Sequence, residues 1–255
     1  MPDLKKCSLK LTPFQAKFLV EGIGTFILVF TIALAELQCG ATALNGTTRT
    51  RNLAPLAIGY MLSTLIFSFA YISGAHFNPA VTVGVLLVRA IRVELAIPYV
   101  IAQVAGAVAA SIVALVLGGD ISNLPAPQVY KNLPEYVVRG FVGEAIFTAV
   151  LVTVVLHVGC GKQKSMLSYG LAVGMCVMAS TYAVGGVSGG SFNPAVATGL
   201  QLIKCATGNC IPLMHLWLYW AAPMCGALGA GILFRMTQPK PDEPEPEQAL
   251  PEAVY

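Results

Sequence analysis

Charge is what this sequence has least of. Only 11% of its 255 residues are Asp, Glu, Lys or Arg, where a soluble domain of this size carries roughly a quarter. The formal net charge of +3 is too small to favour nucleic acid as a partner. Histidine is scarce, and the three residues at 76, 157 and 215 have no metal-ligand spacing. H-E-x-x-H does not occur, and the chain reads as a non-enzyme with no metal. The seven cysteines (7, 39, 160, 176, 205, 210 and 225) contain no C-x2-C pair, which argues against a zinc site. Cys205 and Cys210 share one predicted loop and could pair if that loop faces an oxidising space. The basic start and a first apolar run of span length, with no clear cleavage site, predict no cleaved signal peptide.

What replaces charge is apolar length. The chain is 56% hydrophobic, and the charges fall between runs long enough to cross a bilayer, which takes about 20 residues each. The spans predicted are about Phe14–Leu34, Leu53–Ile72, Leu95–Leu117, Val137–Val158, Leu167–Val184 and Leu213–Phe234. Residues 1–12 are polar and basic and form a short cytosolic segment. Residues 13–236 form one six-span domain of two repeats, about 13–117 and 136–236. Residues 237–255, rich in Pro, Asp and Glu, are predicted to be a disordered cytosolic tail.

One stretch occurs twice. Ser73-Gly-Ala-His-Phe-Asn-Pro-Ala-Val-Thr-Val-Gly84 returns as Ser188-Gly-Gly-Ser-Phe-Asn-Pro-Ala-Val-Ala-Thr-Gly199, identical at eight of twelve positions and offset by 115. In each copy an Asn followed by Pro marks a helix start, because Asn is a favoured N-cap and Pro suits the first turn. From Asn78 to about Val88 there is room for a helix of roughly 15 Å, about half a bilayer. Asn193 to about Ile203 offers the same. Two further anchors repeat in the same order: Glu21, Ile23 and Thr25 match Glu144, Ile146 and Thr148, and Tyr99, Gly106 and Ala107 match Tyr219, Gly226 and Ala227. Small residues at Gly106, Gly170 and Gly174 are sites of close helix contact.

Each half has three spans, an odd number, so the second half must insert upside down. Inverted repeats put equivalent features near the midplane. The expected fold is therefore an all-α membrane protein with six transmembrane helices plus two half-helices meeting at the midplane. Non-helical backbone at that depth survives only when buried in protein or lining a water-filled cavity, so the architecture predicts a pathway. Lys or Arg at 5, 6, 10, 17, 89, 92, 162, 164, 235 and 240 lies on one side, and at 49, 51, 131, 139 and 204 on the other. Positive residues favour the cytosol, so both termini are expected there. The sequon at Asn45 falls on the opposite side.

At the midplane, two helix N-termini bring partial positive charge to one point. The amides of Asn78 and Asn193, within Asn78-Pro79-Ala80 and Asn193-Pro194-Ala195, would orient a passing water and break a proton wire. These paired boxes, the buried Glu21 and Glu144, and the inverted six-span pattern resemble the aquaporin (major intrinsic protein) family over about residues 14–236. The resemblance implies a passive channel in the lipid bilayer, a homotetramer with one pore per subunit, and no cofactor. Its outer selectivity filter carries over by distance from the boxes to Ile58, Thr181, Gly190 and Val196. Strict water channels of the family typically carry Phe, His and Arg at the first, second and fourth of these. The resemblance with Ile, Thr and Val there implies a wider, uncharged constriction passing water and small neutral solutes such as ammonia, urea, hydrogen peroxide and glycerol. Ala197 stands where glycerol channels usually carry Asp, Tyr219-Trp220 resembles the water-selective branch, and Leu200 replaces a common Pro. A strict water channel and a glycerol facilitator therefore stay open. So do a plasma membrane and a vacuole-type internal membrane.

Glu21 and Glu144 admit two readings: proton-relay acids, or supports whose oxygens accept the backbone N–H groups of the half-helix loops. His76, beside the first box, is either a gate at the cytosolic mouth or a satisfied core residue. A coupled secondary transporter would also have broken helices, but it usually needs ionisable groups at its substrate site, and the boxes are neutral.

Overall fold

The computed structural model describes residues 11–44, 52–119, 124–129, 133–161 and 166–238. The Asn45 sequon, the basic residues at 5, 6, 10, 49, 51, 131, 162 and 164, and the tail from 239 lie outside the described residues. In order the helices are α1 (Pro13–Leu44), α2 (Ala54–Ser73), α3 (Pro79–Leu87), α4 (Val93–Gly118), α5 (Pro134–Val154), α6 (Met166–Ser188), α7 (Pro194–Ala206) and α8 (Leu216–Thr237). A π-helical turn, Val155–Cys160, prolongs α5, and a 3-10 turn, Pro212–His215, leads into α8. Six of these elements are long and apolar enough to cross a membrane: α1, α2, α4, α5, α6 and α8. The remaining two, α3 with 9 residues and α7 with 13, are too short.

Local chemistry explains the ends. Thr12 and Gln15 cap α1 reciprocally: Gln15 N–H donates to Thr12 Oγ1 at 3.3 Å, and Thr12 N–H donates to Gln15 Oε1 at 2.9 Å. Helix α1 continues past its expected end at Leu34 to Leu44, because Ala35-Glu36-Leu37-Gln38 are strong helix formers even where hydropathy falls. Helix α6 likewise runs through Gly185 and Gly186 to Ser188, four residues past the expected Val184. It ends where α2 ends in the first repeat. Gly74 and Gly189 take left-handed φ of 91° and 86°, and each donates its N–H to the carbonyl four residues back at 2.9 Å.

The two repeats are interleaved rather than side by side. Helix α1 packs most extensively on α4 and α5 on α8, the same pairing within each half. Across the halves, α3 lies against α8 and α7 against α4, so each half-helix rests on the last span of the other repeat. Glycine permits these contacts. A Cβ on Gly106 would sit 2.2 Å from the Gly22 carbonyl, and one on Gly226 would sit 2.4 Å from the Ala145 carbonyl. At the seam between α2 and α6, Gly59 and Gly174 approach so closely that a Cβ on either would strike the other's carbonyl at 2.6 and 2.3 Å. In the connection between the halves, Pro127 O accepts from Gln201 Nε2 at 2.7 Å, which ties that loop to α7.

Candidate functional site

Both Asn-Pro-Ala boxes begin a helix, as their residue types require. Asn78 Oδ1 accepts from Ala80 N–H at 2.9 Å, and Asn193 Oδ1 accepts from Ala195 N–H at 3.0 Å and Val196 N–H at 3.5 Å. Their amide nitrogens cross the midplane. Asn78 Nδ2 donates to Phe192 O at 2.8 Å, and Asn193 Nδ2 donates to Phe77 O at 2.9 Å. Each Nδ2 carries two protons, so one is committed to the opposite repeat and one is left for a molecule in the cavity. Pro79, Ala80, Pro194 and Ala195 are all buried around this meeting point.

The loops ahead of the boxes hold conformations that L-residues avoid. Ala75, Phe77 and Phe192 have φ of 53°, 48° and 50°, and Gly190 has φ of 60°. Two fully buried carboxylates hold them. Glu21 Oε1 accepts from Ser73 Oγ (2.7 Å) and His76 N–H (3.0 Å), and its Oε2 accepts from Phe77 N–H (2.7 Å) and Gln103 Nε2 (2.8 Å). Glu144 takes the equivalent set: Ser188 Oγ at 2.7 Å, Ser191 N–H at 2.9 Å and Phe192 N–H at 2.6 Å. Tyr99 and Tyr219 complete the frame by donating their hydroxyls to the carbonyls of Ser73 and Ser188. These tyrosines stand out in the sequence as repeat anchors, yet their job is visible only in three dimensions.

The halves are not perfect copies. Gln103 bridges Glu21 and Thr82 Oγ1 (3.0 Å), while its repeat-related position is Pro223. Thr82 Oγ1 accepts from Gln103 Nε2 and lies 3.1 Å from both Asn78 O and His76 Nδ1, which ties the His76 ring to the start of α3. The ring is packed edge-on against Tyr99 at 5.3 Å.

One cavity of about 410 Å³ runs along the boxes and is lined by Asn78, Asn193, His76 and all four filter positions, Ile58, Thr181, Gly190 and Val196. The groups at these four positions are poor in donors. Thr181 Oγ1 donates to Val177 O at 2.8 Å, and Gly190 N–H donates to Ser188 Oγ at 3.2 Å. Thr181 therefore turns only lone pairs to a passing molecule. Gly185 and Gly186, one turn outside Thr181, also line the cavity, and a Cβ on Gly186 would meet open space. They escape a sequence reading confined to the four filter positions, although their spacing of four and five from Thr181 places them on the next helical turn. Cys205 and Cys210, at the end of α7, are joined in a disulfide. Among the described residues no group of three His, Cys, Asp or Glu is placed to hold a metal.

The sequence profile described as the major intrinsic protein family matches residues 8–234. The chain is 32% identical over 231 residues to glycerol uptake facilitator protein-like 6 of Lactiplantibacillus plantarum, covering 86% of this chain and 97% of that one. It is 31% identical over 240 residues to aquaporin Z of Rhodopseudomonas palustris, with 88% and 94% covered. Its fold is similar to that of the aquaglyceroporin of Plasmodium falciparum in an X-ray structure, with a TM-score of 0.72 at 23% identity, over 88% of this chain and 95% of the other.

Proposed function

The chain belongs to the major intrinsic protein family, whose members are multi-pass membrane channels and not enzymes, and we propose that it conducts small neutral solutes as well as water. Passive movement of water and small solutes is the family's activity. The solutes we assign to this pore are ammonia, urea, hydrogen peroxide and glycerol. One observation carries the assignment: the filter is Ile58, Thr181, Gly190 and Val196, with neither a fixed charge nor a free donor. An arginine in place of Val196 would narrow the passage and repel cations. Valine does neither. Lone pairs on Thr181 suit solutes that arrive carrying N–H or O–H groups.

Ion and proton exclusion then falls to the midplane. The N-terminal ends of α3 and α7 bring partial positive charge there, as is general for aquaporin-type pores. Asn78 and Asn193 each keep one amide proton for the oxygen of a passing molecule, which turns that molecule's own protons away from its neighbour. In this scheme Glu21 and Glu144 are supports for the half-helices, since their oxygens are filled by loop donors. His76, held by Thr82 and packed edge-on against Tyr99, suits a fixed core residue better than a gate. A homotetramer, cytosolic termini and residence in the plasma membrane or a vacuole-type membrane complete the proposal.

Stopped-flow light scattering on proteoliposomes tests it, comparing water with glycerol, urea and ammonia for wild type and Val196→Arg. Solute flux in wild type that Val196→Arg suppresses while water persists is the expected result. Water flux alone in wild type would make this a strict water channel. Saturating flux tied to an ion gradient would instead mean a coupled transporter.

A further inference from the structure

Turned over by the repeat, the filter has a counterpart at the opposite end of the cavity. The offset of 115 that relates the two boxes carries Ile58 to Val173, Gly190 to Ala75 and Val196 to Val81, and all three counterparts line the cavity. Thr181 maps to Ile66, which is fully buried and stays out of the lining. A larger side chain enters from α6 instead. The lining on that helix recurs every four residues, from Gly185 through Thr181, Val177 and Val173 to Tyr169. Tyr169 lies twelve residues before Thr181, roughly 18 Å along the helix and on the far side of the boxes.

Bulk is not matched across the repeat. Tyr169 stands where the outer end has Ala54, His76 where it has Ser191, and Ala75 where it has Gly190. Against these, Val173 and Val155 are each smaller by one methylene than Ile58 and Ile32. Tyr169 is also held in place. Its hydroxyl donates to Gly74 O at 3.1 Å, and it is buried apart from the edge that lines the cavity. Its ring lies so close to the π-helical turn that a Cβ on Gly159 would sit 3.1 Å from Tyr169 Cε2. By the offset of 123, Gly159 is the counterpart of Glu36, which lines the cavity at the other end. The side chain missing at 159 makes the room that the Tyr169 ring fills. Because the hydroxyl spends its one proton on Gly74, Tyr169 offers a solute bulk rather than a donor.

We propose that Tyr169 is a further specificity-determining residue, which sets the upper size limit for neutral solutes at the inner end of the pathway rather than at the outer filter. This rests on the solute-channel reading above. Neutral solutes are not sorted by charge, and the outer filter positions offer few donors, so cross-section is what separates one solute from the next. In a single path the narrowest point governs permeation. A ring tied at its hydroxyl and packed against backbone at its edge cannot swing aside for a larger molecule. Urea and glycerol pass Tyr169, and the next longer polyol, erythritol, is held back there.

The experiment is stopped-flow flux in proteoliposomes bearing the full-length channel, with water, urea, glycerol and erythritol as probes. Wild type, Tyr169→Leu, Tyr169→Ala and Ile58→Ala are compared through the ratio of erythritol to glycerol permeability. The ratio is expected to rise several-fold in Tyr169→Ala and by an intermediate amount in Tyr169→Leu. Ile58→Ala, the matching enlargement at the outer filter, should raise it by clearly less. An unchanged ratio in Tyr169→Ala with glycerol still passing would overturn the inference and leave the solute-channel reading standing. So would a rise in Ile58→Ala as large as that in Tyr169→Ala. Wild type that passes water but neither urea nor glycerol would overturn the solute-channel reading and this inference with it. Because the expected change is a gain, graded with side-chain size and read as a ratio within one preparation, a loss of folded protein cannot imitate it.

Discussion

Asn78 reaches across the midplane to donate its side-chain amide to the carbonyl oxygen of Phe192, 2.8 Å away. Its other end caps α3 through Oδ1. One residue therefore starts a half-helix in its own repeat and clasps the loop of the other.

Replacing Asn78 with Asp separates these two jobs. The carboxylate still accepts from Ala80 N–H, so the helix start survives. The donor to Phe192 O is lost, and a negative charge sits where the helix ends should repel cations. Proton leak, followed with a pH-sensitive dye inside proteoliposomes, should rise at least tenfold, while water flux stays within a few-fold of wild type. A proton-tight variant would mean the cation barrier lies elsewhere.

Glu21→Gln and Glu144→Gln should both destabilise, but not equally. In each, the new amide NH2 faces a phenylalanine N–H that has lost its acceptor, at a cost of about 1–3 kcal/mol. At position 21 the neighbouring Gln103 has an unpartnered Oε1 and can turn to accept from that NH2. At position 144 the equivalent neighbour is Pro223, which has no side-chain acceptor. Glu144→Gln should therefore be the less stable by about 1 kcal/mol, one hydrogen bond's worth. Thermal unfolding of the two variants in the same detergent reads the order directly.

Two glycines to be enlarged should behave oppositely. Gly226→Ala puts a methyl 2.4 Å from the Ala145 carbonyl and 2.8 Å from Ala149 N, where rigid backbone cannot yield. It should lower the unfolding temperature and the yield of folded channel. Gly186→Leu meets open space in the backbone's own surroundings, at a residue that lines the cavity. It should leave stability near wild type and cut glycerol and urea flux more than water flux. Equal loss of all three would show that Gly186 does not border the path.

Thr181→Val keeps the shape of the filter and removes one oxygen. Because that hydroxyl already spends its proton on Val177 O, the change deletes an acceptor only. Flux of glycerol, rich in O–H donors, should fall several-fold relative to water. Stopped-flow traces of the two on one preparation give the ratio.

Much of this molecule can be read from its residues alone. Apolar runs of span length require helices across a bilayer, because backbone polar groups there must be satisfied within each segment. Three anchors repeated in order, with three spans between them, require an inverted duplication. Asn before Pro requires a helix start, and Asn78 and Asn193 both make one. Other features escaped because hydropathy counts bilayer thickness rather than helix length: α1 extends to Leu44 and α6 to Ser188. Glu36 became a lining residue only because α1 continued that far.

Periodicity and composition by themselves determined the spans, the repeat and the position of the two helix starts, since these follow from local chemistry and from the solvent that surrounds the chain. Only the tertiary structure decided that each half-helix rests on the other repeat's last span, that Gln103 stiffens one half where Pro223 leaves the other bare, and that Thr181 offers lone pairs but no proton. Those outcomes depend on which groups distant in sequence meet, and on which donors are already spent when they do. A residue type shows what a side chain can do; its partners in the fold decide what is left for a solute.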